Sequence, residues 1–381
     1  MAMPIIEPLA GKLLLDYAAE MKEETLPAFE KLVHPNLWWS SISGLQKAIR
    51  RGEEEIAVRT ALMLYMAGPK RLLRRLAVIA AEDVCFGNFP AVQIAAKYAL
   101  DGIPENGVGA LHYLAGLVRN MAAGVKDRSA CELLVASALG MTEKNIDRLT
   151  KASLPDLIKE YGSSEDVVTR VLAGRVLVKE LLLNGNKVGR VDVPGAKELV
   201  RAVVSQKGLL ETMDIMLAIG GELAAFGVTI PLLWDKVAGS KVAVRENPLT
   251  PATLINGNLS PAYDMHTREG GRAMALFTIA YKPLRVALRS RGLEPKDILG
   301  TLLFIGEGAL INRELAYDFG DKLDVLNQHS QLIRRNVDVA DLPELLELTR
   351  AGLPLLNQLR EKVVKSFNYG ANQNAKQASL L

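Results

Sequence analysis

The chain has 381 residues, of which 49% are apolar and 5% aromatic, and its 46 Lys/Arg nearly balance 43 Asp/Glu to leave a formal net charge of +3. This length and apolar content supply a sizeable core, and the excess of Leu and Ala over aromatic residues favours helix over sheet. Two cysteines and four histidines, widely spread, give no zinc spacing, and no apolar run is long enough to span a membrane.

In chain order, residues 7 to 33 carry helical periodicity through Leu13, Leu14, Tyr17, Ala18 and Met21, with Pro27 near the start of a second short helix. Asn36 or Ser40 is placed to cap the next helix. Trp38 and Trp39 at its entry are either a hydrophobic plug or a platform for stacked bases, and Tyr263 is a further stacking candidate. Between Lys47 and Arg75 there are eight Lys/Arg against three Glu, a local balance of +5. This concentration points to a polyanionic partner, most simply DNA; the alternative is a solvated helix face.

A helix is expected from about Pro69 to Val84, with Leu72, Leu76, Ile79 and Ala80 at i, i+4, i+7 and i+8 as its buried stripe. Arg71 and Arg75 lie on a neighbouring stripe with Glu82, and Arg74 lies just beside it. These arginines contact phosphate or pair with carboxylates of adjacent helices. Gly87-Asn-Phe-Pro breaks the chain, and helices follow over Ala91–Leu100, Val108–Ala122 and Ser129–Leu139. Both Cys85 and Cys131 fall in apolar helical patterns, as buried free thiols of a reducing cytoplasm do. His112, among Leu111, Tyr113 and Leu114, reads as packed. Thr142, Ser153 and Ser163 or Ser164 begin helices, Asn184-Gly-Asn-Lys is a turn, and Val188–Pro194 forms a short strand without an obvious partner. Leu209–Phe226 reads as one apolar helix weakened by Gly220-Gly221.

Part of this pattern resembles a known family. Ser43-Gly-Leu-Gln-Lys-Ala-Ile-Arg-Arg-Gly-Glu-Glu, then Arg71-Leu-Leu-Arg-Arg-Leu-Ala-Val-Ile-Ala-Ala-Glu-Asp-Val, then Val125-Lys-Asp-Arg, is similar to the C-terminal helical collar of the replication-associated recombination ATPases related to clamp loaders. The likeness covers about residues 40 to 135. It implies a helical bundle, self-association through those helices and a setting in DNA metabolism. It does not carry ATP hydrolysis, because the Gly-x-x-x-x-Gly-Lys-Ser/Thr phosphate cradle is missing.

A second constellation is Asn256-Gly-Asn-Leu-Ser-Pro-Ala-Tyr-Asp-Met-His-Thr-Arg-Glu-Gly-Gly-Arg. A loop from about Glu246 to Pro261 leads to Ser260-Pro261, read as helix cap and first helical position. From that start, Asp264, Arg268 and Arg272 share one face. Asp264 or Glu269 is a candidate general base, His266 an acid or base, and Arg268 and Arg272 phosphate ligands. The alternative is a capped helix start with Asp–Arg pairs. Glu307, between two glycines in an apolar run, is either a tuned general acid or the partner of an arginine.

These readings predict an all-α protein, a clamp-loader-collar-like bundle followed by a second helical domain. The expected divisions are a basic collar-like domain over residues 1–140, a connecting region over 141–205, a C-terminal helical domain with the active site over 206–367, and a tail over 368–381. The expected DNA contacts are Lys47, Arg50, Arg51, Lys70, Arg71, Arg74, Arg75, Lys126, Arg128, Arg268 and Arg272. The expected catalytic residues are Asp264, His266, Glu269 and Glu307, with no metal and no cofactor. The reaction expected is hydrolytic release of a damaged or modified base from DNA, in repair or anti-phage defence. The alternative is a non-enzymatic DNA-binding or oligomerising scaffold in replication or recombination.

Overall fold

Apolar residues at helical spacing become buried helix faces along most of the chain, and a computed structural model shows how those faces are used. It describes residues 26, 37–104, 109–183, 186–317, 327–328, 330–332, 335 and 337–367. The helices expected within residues 7–33, the turn at Asn184-Gly185 and the tail after residue 367 lie outside these. The described chain is mostly helical, with three short antiparallel strand pairs. It divides into two units, each assembled from separated stretches of sequence.

The first unit draws on Lys70–Glu246 and Arg313–Gln331. The Pro69–Ile79 helix buries Leu72, Leu76 and Ile79, the expected stripe, and then widens into a π-turn over Ala80–Val84. The π-turn ends at Cys85, whose φ of 36° is unusual for a residue with a side chain. Asp127 stabilises this break: its Oδ2 accepts from the Phe86 N–H at 3.2 Å and from the Tyr317 hydroxyl at 2.9 Å, and its Oδ1 accepts from the Ser129 N–H at 2.9 Å. Asp83 is fully buried beside Arg128, whose Nε lies 3.2 Å from its carboxylate. Further on, Thr142, Ser153, Asp166 and Asp192 each accept a backbone N–H at the start of a helix.

Three expectations for this unit are corrected. The helix expected to start at Ser163 or Ser164 starts at Val167, capped by Asp166, and Ser163 closes the preceding helix. Residues 209–226 are not one helix: Gly220 and Gly221, at φ 77° and 62°, end the Lys207–Ile219 helix and begin Glu222–Ala238. The strand expected over Val188–Pro194 lies earlier, at Asn186–Val188, where it pairs with Leu181–Leu183, and Asp192 caps a helix that begins at Val193.

The second unit draws on residues 37–69, 247–312 and 332–367. The Trp38–Arg51 helix ends at Gly52, which is left-handed (φ 75°) and donates its N–H to Ala48 and Ile49; a residue without a Cβ suits that stop. The Glu54–Ala67 helix packs against it. Helices Arg268–Ala280, Lys282–Ser290 and Pro295–Leu303 bury Phe277, Leu284, Leu288, Ile298 and Leu302 with Leu345, Leu353 and Leu356 of the long Leu342–Ser366 helix. A second π-turn, Phe304–Gly308, follows Leu303. The expected divisions near residues 140 and 205 therefore fall inside the first unit, and residues 37–69 group with the C-terminal stretches.

At the centre of the second unit Arg360 is 1% exposed and donates to Glu307 through Nη1 at 3.0 Å and Nη2 at 2.8 Å, to the Tyr263 carbonyl at 3.1 Å and to Asn357 at 2.8 Å. Removing one member of such a buried pair leaves the other charge without compensation. Arg360→Met is expected to cost about 3–5 kcal/mol in urea unfolding, and Glu307→Leu/Arg360→Met to recover much of that loss.

Candidate active site in the second unit

Two glycines decide where the Asp264 segment sits. A Cβ on Gly44, in the Trp38–Arg51 helix, would meet the Asn258 side chain at 2.4 Å, and one on Gly270 would meet the Asp264 carbonyl oxygen at 2.0 Å. The backbone of residues 258–264 therefore lies against the Trp38–Arg51 helix on one side and the start of Arg268–Ala280 on the other. Thr267 caps that second helix, accepting the Gly270 N–H at 3.1 Å. The helix begins at Arg268 and not at Pro261, because Ser260–Ala262 forms only a single 3₁₀ turn. The expected helical face joining Asp264 to Arg268 and Arg272 is corrected accordingly.

Asp264 instead meets the Trp38–Arg51 helix. Its Oδ2 pairs with the Lys47 ammonium and accepts the Ser43 hydroxyl at 2.9 Å, while Lys47 also donates to Ser43 at 2.8 Å. Its Oδ1 accepts the His266 N–H at 2.9 Å. Burial by itself would raise the carboxyl pKa, but the Lys47 charge and these three donors outweigh it and hold Asp264 below the ordinary carboxylate range. The Asp264 side chain keeps 20% exposure against 6% for Lys47, so the ionised group retains an open edge. Glu269 is shifted in the opposite sense: burial raises its pKa, and its own backbone N–H and the Arg268 charge only partly offset this. Tyr263 is fully buried, donates to the Ile255 carbonyl at 2.8 Å, and has its phenol pushed up to about 12, chiefly by burial.

Trp39, Ser43 and Lys47 lie at i, i+4 and i+8, one stripe of the Trp38–Arg51 helix with successive members about 6 Å apart along the axis. Trp39 is 61% exposed, whereas Trp38 is buried and serves as the plug. Tyr263, equally buried, presents no face for stacking. His266, Arg268 and Arg272 are exposed, and the two guanidinium groups lie over the Phe367 ring at 4.8 and 5.7 Å.

The remaining basic residues separate into two groups. Lys47, Arg50, Arg51, Lys126 and Arg128 are buried, so the expectation that they present charge to DNA is corrected in this conformation. Their charges meet internal groups: Arg50 donates to the Gly308 carbonyl at 2.7 Å, Arg51 to the Thr250 carbonyl, and Lys126 to the Ala122 and Gly124 carbonyls at the end of the Ala110–Ala123 helix. In the first unit Lys70, Arg71 and Arg74 are exposed, and Arg74 donates to the Ile219 carbonyl at 3.1 Å. Arg75 takes the ion-pair alternative, bonding Glu222 at 3.1 Å and lying 4.0 Å from Glu82.

Glu307 is 2% exposed and joined to Arg360 by two hydrogen bonds, which makes it an anchor and not a free acid. Ser43 and Arg360 were not singled out from the sequence. Arg360 leaves one trace there, a cation inside the apolar stripe Leu353, Leu356, Val363 and Val364. Ser43 leaves none, since a serine one turn before a lysine is commonplace. Among the described residues no group of three or more His, Cys, Asp or Glu is placed to hold a metal ion, and no helix is long and apolar enough to cross a membrane. No protein-family model, curated protein or solved structure matches the chain.

Two outcomes test this geometry. Gly270→Ala must displace the Asp264 backbone and is expected to cost about 1–3 kcal/mol in chemical unfolding. Because the Asp264 pKa is lower folded than unfolded, the stability it contributes is present above about pH 4 and is lost as pH falls through the folded value. Unfolding midpoints recorded between about pH 5 and 2 should show that dependence weakened in Asp264→Asn.

Proposed function

We propose that the chain is a DNA-acting hydrolase that releases a damaged or modified base, with its site at the Asp264–Glu269 junction. The observation that carries this reading is the opposite tuning of two neighbouring carboxyl groups: Asp264 is held ionised by Lys47 and Ser43, while burial favours the protonated form of Glu269. A pair pushed apart in this way can divide the work of an anion and an acid.

In N-glycosidic hydrolysis the C1′–N bond breaks and its electron pair leaves with the base. Positive charge develops on the sugar at C1′ and its ring oxygen, opposite which a persistent carboxylate is stabilising. Asp264 suits that part better than the part of a strong base, since a lowered pKa weakens proton abstraction. Glu269, 3% exposed in this conformation, supplies a proton to the departing base once substrate binding opens the junction, and water attacks C1′ and gives up a proton to restore the acid. Trp39, two turns from Lys47 on the same helix stripe, supplies a ring for stacking the displaced base. The exposed Arg268 and Arg272 supply charge for flanking phosphates.

The second reading is the scaffold, related to the clamp-loader collars and self-associating through the Trp38–Val84 helices. It is favoured by the burial of Lys47, Arg50, Arg51, Lys126 and Arg128, which spend their charge on internal partners and leave fewer cations for DNA.

Purified protein incubated with DNA carrying modified bases is expected to release free base, detected by mass spectrometry, and to leave alkali-labile sites. Asp264→Asn should abolish release without loss of DNA affinity. Trp39→Ala should weaken substrate binding by about 1–3 kcal/mol. Salt-sensitive DNA binding with every base intact favours the scaffold.

A further inference from the structure

One buried cation of the second unit has donors that nothing among the described residues accepts. Arg51 is 7% exposed, and only its Nη2 is engaged, donating to the Thr250 carbonyl. Its Nε and Nη1 are enclosed and have no hydrogen-bond partner among the described residues, and the enclosed Oγ1 of the same Thr250 has none either. The nearby carboxylates do not meet this need. Glu307 acts on Arg51 only through its field, because both of its oxygens are bound by Arg360, and Glu53 is exposed. The other two acid–base contacts of this region are matched pairs, Lys47 with Asp264 and Arg360 with Glu307. A buried guanidinium with open N–H groups and no contacting anion is costly, and an acceptor of opposite charge relieves that cost.

We propose that Arg51 and Thr250 form a binding site for a phosphate-like oxyanion. The guanidinium offers planar N–H donors suited to tetrahedral or carboxylate oxygens, and the threonine hydroxyl adds a neutral donor beside it. Lysine would not reproduce this geometry. Thr250 stands on the irregular stretch Asn247–Thr253, ahead of the small hairpin formed by Leu254–Ile255 and Asn258–Leu259. Because the open donors are enclosed, this stretch moves to admit the ion and then covers it. Arg51 stands one turn beyond Lys47 on the Trp38–Arg51 helix, neither it nor Thr250 is among the Asp264 contacts given above, and the proposal does not depend on the base-release reading.

The test uses the full chain, with inorganic phosphate and phenyl phosphate as probes, titrated against sodium chloride at matched ionic strength. Thermal unfolding and phosphorus NMR line widths are read in parallel. Wild-type protein is expected to show a saturable rise in Tm and broadening of the bound resonance. Arg51→Gln and Thr250→Val should each raise the half-saturating phosphate concentration by roughly tenfold or more. Thr250→Val keeps the backbone carbonyl that Arg51 already uses, so it remains informative even where Arg51→Gln fails to fold. Saturation by inorganic phosphate alone assigns the site to the free ion, and saturation by phenyl phosphate as well assigns it to a phosphate ester. No saturable effect, the result expected if water alone meets these donors, overturns the proposal. An effect of equal size in Thr250→Val overturns it too, because the ion then binds elsewhere.

Discussion

A guanidinium at 1% exposure has to find an acceptor for nearly every N–H it carries, and Arg360 organises the second unit by doing so. Its Nε reaches the Tyr263 carbonyl, one residue before Asp264, and its Nη atoms hold Glu307 on the π-turn after Leu303. Two stretches far apart in sequence are thereby tied to the C-terminal half of the Leu342–Ser366 helix. The widened π-turn is the kind of local departure from α-geometry that re-aims a side chain. Here it turns a carboxylate into an otherwise apolar interior.

The Asp264 segment is positioned by that anchor together with two absences of side chain. Gly44 and Gly270 let residues 258–264 approach two helices more closely than any Cβ would permit. The resulting contact brings Lys47 and Ser43 onto Asp264. Electrostatics then follows from placement: a half-open carboxylate with three kinds of donor stays ionised, while Glu269, five residues later and buried at the start of a helix, is pushed the other way. Two carboxyl groups acquire different chemistry because the Lys47 charge and its accompanying donors outweigh burial at Asp264, whereas burial prevails at Glu269.

The first unit uses the same device with the charges exchanged. Asp127 is the buried hub, accepting from Phe86, Ser129 and Tyr317, and it supports the break where the π-turn of Ala80–Val84 gives way to Cys85. Neighbouring Arg128 and Lys126 neutralise Asp83 and the carbonyl end of the Ala110–Ala123 helix. The densest motif residues, Glu82-Asp83 and Lys126-Asp127-Arg128, thus hold the unit together from within.

The sequence by itself determined the helical character, the main helix faces and several of the helix starts, because these depend on short-range spacing: Leu72, Leu76 and Ile79 had to share a face, and Thr142 and Ser153 had to compete for the first free N–H groups. It also marked Asp264, Glu269 and Glu307 as unusual, through density or apolar context. Tertiary structure alone decided which charges face water. Lys47 and Arg51 look as basic on paper as Lys70 and Arg71, yet the first two are enclosed and the last two are exposed. It also decided partners, replacing the near pairing of Asp264 with Arg268 by Lys47, 217 residues away. The physical reason is common to both cases: helical periodicity is set by neighbours three and four residues apart, whereas burial and charge pairing are set by whichever distant segment the core brings into contact.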